Sequence, residues 1–303
     1  MLSRQKSSRC AVAWLLTCSP RFAAAMLAAL LCRSDVRAEP RAAIPDRLVV
    51  PTFDDGVKSH VTFVAPLLKR YGFGATFFIT EAFEFHQGWR KDRYLTWDDV
   101  RKLHQDGFEI CNHSSRHGKA TEETKEEFRD SLVAMERRFA EQGIPRPKTF
   151  CFPAYYFTRG AVEVLQERGY QFARRGTVPE MPYEEGALGF AYDPKEDHPL
   201  LIPIAWASGP KWSMDDFATA VQMARKGRIA VLAFHGVPDL DHPWVTTEPE
   251  KFAAYMKYLH EHRYTVIALR DLAKYVDPRG GPADPLEPIE RRLKSRQGPI
   301  RHE

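Results

Sequence analysis

The chain has 303 residues, of which 44% are hydrophobic, and its formal net charge is +4. That length and composition suit one large globular domain with a sizeable core rather than several small domains. Residues 1–38 contain six basic residues and one acidic residue, so the rest of the chain carries a formal charge of about −1. We therefore exclude nucleic acids and anionic membranes as partners.

Residues 1–38 have the pattern of a secretory signal peptide. Basic residues near the start precede an apolar stretch from Phe22 to Cys32, and Val36-Arg37-Ala38 resembles a cleavage site. The apolar stretch is too short for a membrane-spanning helix. We expect cleavage after Ala38 and a secreted, periplasmic or cell-envelope protein without membrane contact afterwards. An uncleaved N-terminal anchor is the alternative.

Two cysteines, Cys111 and Cys151, follow the signal segment. This number excludes a disulfide framework, and their spacing is not that of a zinc-binding CxxC pair. A single bridge between them is possible in an oxidising compartment. Two buried free thiols are the other possibility.

Residues 47–276 alternate between short apolar runs and amphipathic stretches, which predicts strands alternating with helices. The predicted strands are Leu48–Phe53, Ala75–Thr80, Phe108–Cys111, Thr149–Phe152, Gln171–Arg174, Leu201–Ala205, Ile229–His235 and Thr265–Ala268. The predicted helices are Val61–Tyr71, a segment capped by Thr96, Thr121–Gln142 and Phe252–His262.

This alternation predicts an α/β fold with a largely parallel sheet, in which active sites lie at the carboxyl ends of the strands. Residues 39–46 are expected to form a linker before the domain at 47–276. Residues 277–303 are rich in proline, glycine and charge, which predicts a flexible polar tail.

Two adjacent carboxylates follow the first predicted strand, in Thr52-Phe53-Asp54-Asp55-Gly56. Neighbouring side chains of a strand point to opposite faces, so both carboxylates share one pocket only if the chain turns there, as Gly56 permits. One could then bind a cation while the other accepts a proton. An ordinary Asp-Gly turn closing a strand is the alternative.

Two further segments at strand ends carry histidines. His113 and His117 follow the strand Phe108–Cys111 at the i, i+4 spacing that places two rings on one side of a helical turn, where they could share a zinc ion with an aspartate. His235 ends the apolar strand Ile229–His235 and is a candidate general acid or base. Surface histidines or a structural histidine would explain either segment alone. Together the three segments supply an Asp-His-His metal set, a spare aspartate and a distal histidine.

The order TFDDG, HSSRH and LAFHG resembles the NodB-homology polysaccharide deacetylases, carbohydrate esterase family four, from about Leu48 to Val276. The segment Gly74-Ala75-Thr76-Phe77-Phe78 is also similar to that family's second strand. The resemblance implies a single domain with a distorted (β/α) barrel of the NodB type. It also implies that Asp55, His113 and His117 bind the metal, usually zinc and otherwise a divalent transition metal such as cobalt. Asp54 would be the base and His235 the acid.

The resemblance further implies where the substrate binds. Pro153 and Tyr155 match the family's third motif, and a backbone N–H near Tyr155 would help to hold the oxyanion. Trp206 and Trp212 are candidates for the fourth motif. Any of the tryptophans could instead serve packing, and the same choice applies to Trp89 and Trp244.

The sequence departs from the family pattern at two groups that, in the family, interact with the catalytic base and acid, here Asp54 and His235. The third motif lacks the arginine that positions the catalytic aspartate, and Arg159 or Arg174 is a possible replacement in space. The fourth motif lacks its aspartate until Asp215 or Asp216. Asp239, Asp241 and His242 follow His235 and either line the rim of the site or form a solvated loop.

The residues and the resemblance together predict a metal-dependent hydrolase that removes N-acetyl groups from an amino-sugar polysaccharide, peptidoglycan-like or chitin-like. One alternative is a relative that hydrolyses another non-peptide C–N bond, such as that of a cyclic amide or imide. A carbohydrate-binding pseudoenzyme with a degenerate site is the other. The sequence leaves the oligomeric state open.

Overall fold

The computed structural model describes residues 41–83, 90–181 and 188–297. The predicted signal peptide, Trp89 and the end of the predicted tail, residues 298–303, lie outside the described residues. No helix within the described part of the chain combines the length and the apolar character needed to cross a membrane.

Strands and helices alternate along the described chain, as the sequence predicts. The strands are β1 Leu48–Phe53, β2 Thr76–Ile79, β3 Glu109–Asn112, β4 Thr149–Cys151, β5 Phe172–Arg174, β6 Trp206–Ala207, β7 Ala230–Phe234 and β8 Thr265–Val266. The α-helices are α1 Ala65–Tyr71, α2 Trp97–Gln105, α3 Lys125–Glu141, α4 Arg159–Glu167, α5 Met214–Gln222, α6 Pro249–Glu261 and α7 Glu287–Gln297. A π-helical turn, His60–Val64, precedes α1, and 3₁₀ turns cover Pro153–Tyr155 and Leu269–Lys274.

All strand pairs are parallel, and the sheet runs in the order β5-β4-β3-β2-β1-β7-β6. β1 pairs with β7 along one side, and along the other with β8 at its start and β2 at its end. The segment that leads into β6 bridges back to β5 at Ile202 and Arg174, so the sheet curls round to its own opposite edge. The predicted distorted (β/α) barrel in a single domain is confirmed.

The core explains why the strands could be located from the sequence. Every residue of β1 is buried, as are all residues of β2, β3, β4, β5 and β7. Parallel strands covered by helices are buried on both faces and therefore appear as continuous apolar runs.

Capping residues fix where two of the predicted helices begin. Thr96 caps α2 in a reciprocal pair with Asp99, as predicted. Thr124 caps α3 in the same way with Glu127, so this helix starts four residues later than the predicted Thr121.

The predicted flexible tail is incorrect for residues 287–297, which form α7. Ile289 of this helix is buried in an apolar cluster that includes Phe128 and Phe150, and Leu286 and Leu293 pack against the same cluster. Leu286, Ile289 and Leu293 lie at helical spacing, which is enough to anchor one face of an otherwise charged segment.

Candidate active site

A tight turn after β1 brings two adjacent carboxylates into one cleft. The Asp54 N–H donates to the Phe234 carbonyl oxygen at 2.9 Å and so extends the pairing of β1 with β7. Asp55 then has φ 69° and Gly56 φ 64°, so the left-handed turn starts at the aspartate and not at the glycine. A non-glycine residue in this conformation is strained by about 1–2 kcal/mol. Asp54 and Asp55 consequently both line the same cleft.

Asp55 lies against the two histidines that the sequence predicts as its partners. Its Oδ1 atom is 3.3 Å from His113 Nε2 and 3.1 Å from His117 Nε2, and the two rings are 4.9 Å apart. The connecting residues do not form the expected helical turn, because Ser114 and His117 have φ angles of 60° and 53°. A loop with left-handed residues brings the rings together instead.

The protonation pattern of His113 favours the binding of a cation in this cluster. The His113 Nδ1–H donates to the Cys151 carbonyl oxygen at 2.8 Å, so the neutral ring presents the lone pair of Nε2 to Asp55. The Asp55 Oδ1 atom is buried and receives no well-directed hydrogen bond from the described residues. A lone pair facing a carboxylate is unfavourable unless a positive charge lies between them, so the residues fit a metal ion.

The surroundings of Asp55 keep its carboxylate ionised. Burial alone would raise the pKa of Asp55, but the positive charge of His235 and the contacts with His113 and His117 outweigh burial and hold that pKa well below its usual value. An ionised carboxylate is the form that binds metal.

Of the two arginines considered from the sequence, Arg174 is the one that contacts Asp54. Its Nη2 atom lies 2.5 Å from each carboxylate oxygen of Asp54, and its side chain is fully buried. The other candidate, Arg159, pairs with Asp284 on the protein surface, about half exposed. The guanidinium of Arg174 also lies over the rings of Phe78 and Tyr155, at 5.4 and 5.5 Å from their centroids.

The two cysteines are both free and buried, so the bridge considered from the sequence is absent. The Cys151 Sγ atom accepts from Arg174 Nη2 at 2.6 Å and lies beneath the catalytic candidates.

His235 faces the aspartates from the end of β7. Its Nδ1 atom is 3.4 Å from Asp55 Oδ2 and 3.7 Å from Asp239 Oδ2. Burial would lower the pKa of His235, but the negative charge of Asp55 and the contact with Asp239 raise it to about 9. Buried His60, whose pKa burial lowers to about 4, donates its Nε2–H to the His235 carbonyl oxygen at 3.2 Å.

Asp239 is the aspartate that lies beside His235 and His242. It accepts hydrogen bonds from the Asp241 N–H at 3.0 Å, the His242 N–H at 2.9 Å and His242 Nδ1 at 3.2 Å. The earlier candidates do not serve, since Asp216 caps α5 through Ser213 and Asp215 is exposed in its first turn. Sequence reasoning left Asp239 and His242 as a rim or a solvated loop; their spacing of four and seven residues after His235 was the available signal.

The cleft around these groups has a volume of about 400 Å³, within the range of small-molecule sites. Its lining residues are Asp54, Asp55, Phe83, His113, His117, Ala154, Tyr155, His235, His242, Trp244 and Val245. Pro153, predicted to contact substrate, is buried at the start of the 3₁₀ turn that carries Tyr155. The Tyr155 N–H donates to the Phe152 carbonyl oxygen at 3.1 Å, so an oxyanion role would require this bond to be shared or released.

The prediction that Trp206 and Trp212 bind substrate is not supported. Trp206 is fully buried, with its ring packed against Phe217 and Phe234, and cannot reach a glycan. Trp212 packs edge-on against Trp206 and is not among the residues that line the cleft. Trp244 is the tryptophan that lines the cleft, and 62% of it is exposed.

Residues 41–173 match the family described as polysaccharide deacetylase. The match covers less than half of the chain, and over that segment the chain resembles this family. A peptidoglycan-N-acetylglucosamine deacetylase of Bacillus cereus is 29% identical over 129 residues, which cover 42% of this chain and 55% of that protein. The chain spans about half the length of the curated relatives it matches.

Solved structures of family 4 carbohydrate esterases share the fold of this chain. PdaA of Bacillus subtilis has a TM-score of 0.50 at 16% identity, over 77% of this chain and 83% of that one. A family 4 pseudoenzyme of Bacillus anthracis has a TM-score of 0.50 at 17% identity, over 77% of this chain and 67% of that one. At these identities the likeness concerns the fold alone.

Proposed function

We propose that this protein is a metal-dependent hydrolase that removes N-acetyl groups from an amino-sugar polysaccharide, peptidoglycan-like or chitin-like. The observation that carries the proposal is the arrangement around Asp55. One carboxylate oxygen faces the Nε2 atoms of His113 and His117, while Asp54 and His235 line the same accessible cleft.

The residues that would hold the metal are Asp55, His113 and His117, whose ligand atoms all lie within 4.8 Å of one another. Three protein ligands are typical of a catalytic zinc site, and cobalt accepts the same donors. When bound, such an ion would polarise the acetamide carbonyl and lower the pKa of water.

The other polar groups are suited to moving protons. Asp54 is placed to accept a proton from the attacking water, and the double contact with Arg174 fixes the orientation of its carboxylate. His235 is placed to give a proton to the departing sugar nitrogen as the carbon–nitrogen bond breaks. The raised pKa of His235 keeps it protonated at neutral pH for that role.

Two of the alternatives considered from the sequence lose their main support. The absence of a third-motif arginine and of a fourth-motif aspartate favoured a non-sugar amide, but Arg174 contacts Asp54 and Asp239 lies beside His235. A pseudoenzyme is expected to lack one of the reacting groups, and here the described cleft contains all of them. The relative in Bacillus cereus, named for peptidoglycan, and the predicted export favour a cell-wall glycan.

The test is metal analysis of the purified protein together with acetate release from an N-acetylglucosamine oligomer and from peptidoglycan, before and after chelation. We expect at least one zinc or cobalt per chain and acetate release that stops on chelation and returns on adding metal. Metal without acetate release would redirect the proposal to another amide, and no bound metal after add-back would overturn it.

The variant Asp54→Asn tests whether Asp54 is needed for turnover but not for metal binding. We expect this variant to keep the metal and to lose about 10²- to 10⁴-fold in kcat, the usual contribution of a general base. Asp215→Asn, which removes an exposed carboxylate from the start of α5, is the matched control and should keep both properties. Full activity of Asp54→Asn would remove Asp54 as the base.

A further inference from the structure

The two carboxylate oxygens of Asp55 face two different groups of histidines. Oδ1 faces His113 and His117, whereas Oδ2 lies 3.4 Å from His235 Nδ1. One ligand atom from each of Asp55, His235 and His242 lies within 4.8 Å of the other two. A second Asp-His-His set therefore shares its aspartate with the first.

His242 is oriented by a carboxylate in the way that metal-binding histidines usually are. Asp239 Oδ2 is 3.2 Å from His242 Nδ1 and also faces His235 Nδ1 at 3.7 Å. Since a carboxylate accepts the Nδ1 proton, the neutral His242 ring carries its lone pair on Nε2. Asp239 is 3% exposed and is held by backbone N–H groups of its own loop, so the ring is fixed before any ligand arrives.

His235 supplies the remaining donor. Its Nδ1 atom is buried and makes no well-directed hydrogen bond with the described residues, although two carboxylates lie within 3.7 Å. Asp54, the other nearby carboxylate, is already paired with Arg174. Both His235 and His242 line the open cleft, so a cation from solution can reach them.

We propose that Asp55, His235 and His242 form a second site for a divalent transition metal, distinct from the site at His113 and His117 and bridged to it by Asp55. Carboxylate-bridged pairs of metal ions lie about 3.5–4 Å apart. A cation at this site displaces the proton of His235 Nδ1 to solvent and withdraws His235 from proton delivery, so metal in excess of one equivalent inhibits the enzyme. The inhibition rests on the proposed function, whereas the binding of a second cation does not.

The test counts cobalt ions bound to the purified protein by equilibrium dialysis and by the visible absorption of the bound ion. We expect two ions per chain for the wild type, one for His242→Ala and one for His113→Ala. Asp239→Asn keeps every ligand and should weaken the second ion about 10- to 100-fold, as loss of an orienting carboxylate does. His260→Ala, which removes an exposed histidine of α6, is the matched control and should bind two.

A wild type that binds one ion overturns the proposal, as does a His242→Ala variant that still binds two. Circular dichroism establishes that each variant is folded, and Asp239→Asn provides the decision if His242→Ala does not fold. The rate of acetate release is then measured at one and at three equivalents of metal, and for each protein the rate at three equivalents is divided by the rate at one. The ratio should fall in the wild type and stay near one in His242→Ala. Two bound ions without acetate release under any condition would contradict the proposed function and leave the second site standing.

Discussion

Asp54 and Arg174 are 120 residues apart in the chain and meet beneath the cleft, where Arg174 is fully buried and Asp54 is almost completely buried. The sequence predicted the Asp-His-His set, because Asp55 and His113 lie just after strands and His117 lies four residues after His113. It left two candidates for the missing arginine, because local patterns do not show which of two arginines the curled sheet brings to the end of β1. Arg174 is the last residue of β5, and its position at a carboxyl strand end was the only sequence signal that separated it from Arg159.

Replacing Arg174 should therefore harm both stability and turnover. Arg174→Met leaves the charge of Asp54 buried without a counter-ion, which costs about 3–5 kcal/mol in the free energy of unfolding. Denaturant unfolding measures this loss, and kcat for acetate release should fall with it. Arg159→Met breaks an exposed pair with Asp284 and should change neither quantity appreciably. Equal stabilities of the two variants would contradict the assignment of Arg174.

The tryptophans give a second contrast between residues. Trp206→Ala removes a fully buried ring and should lower the free energy of unfolding by about 3–5 kcal/mol. Trp244→Ala changes an exposed ring and should alter stability by no more than about 0.5 kcal/mol. If Trp244 contacts a sugar in the cleft, its loss should raise KM for an N-acetylglucosamine oligomer with little change in kcat. An unchanged KM would exclude that contact.

Among the elements, those defined by burial or by a cap were predicted well. Strands β1, β2 and β7 fall within two residues of their predicted bounds, because each is a continuous apolar run. Helices α4 and α5 were not predicted; both are short, with nine residues each. The loop between His113 and His117 was predicted as a helical turn, because the i, i+4 spacing alone does not distinguish a turn from a loop with left-handed residues.

Glu136 links α3 to the turn between α4 and β5, and its effect on stability should depend on pH. Burial would raise its pKa, but Arg168 and Arg146 outweigh burial and lower that pKa. A lowered pKa in the folded state means that the stabilisation is present above the unfolded value of about 4.3 and is lost as the pH falls through the folded value.

We therefore expect Glu136→Gln to be less stable than the wild type at pH 7 by about 1–2 kcal/mol. This value is at the low end of the range for hydrogen bonds between charged groups, because the arginines are partly exposed. The difference should shrink as unfolding is measured at successively lower pH. Glu126→Gln, an exposed position of the same helix, should show a small difference throughout. A difference that grows on acidification would mean that the ion pairs are not the source.

For the whole molecule, the position of the C-terminal segment was the largest error of sequence reasoning. The segment is mostly charged, and its composition resembles that of a disordered tail. Composition does not show that Arg292 of α7 meets Glu180 at 3.0 Å and Asp197 at 2.8 Å, two carboxylates that are almost completely buried. Glu180 also pairs with buried Arg175, the neighbour of Arg174, so α7 attaches to the segment that supports Asp54.

Removing the Arg292 side chain tests whether this attachment stabilises the domain. Arg292→Ala leaves Asp197 buried without its cation, and we expect a loss of about 3 kcal/mol in the free energy of unfolding, the lower end for a broken buried pair because Arg292 is partly exposed. Arg291→Ala at the adjacent position breaks only exposed pairs with Glu196 and Glu287 and is the matched control. If both variants unfold at the same denaturant concentration as the wild type, α7 is held by Leu286, Ile289 and Leu293 alone, and the charged contacts contribute nothing. A loss confined to Arg292→Ala would mean that a charged C-terminal helix is an integral part of the barrel.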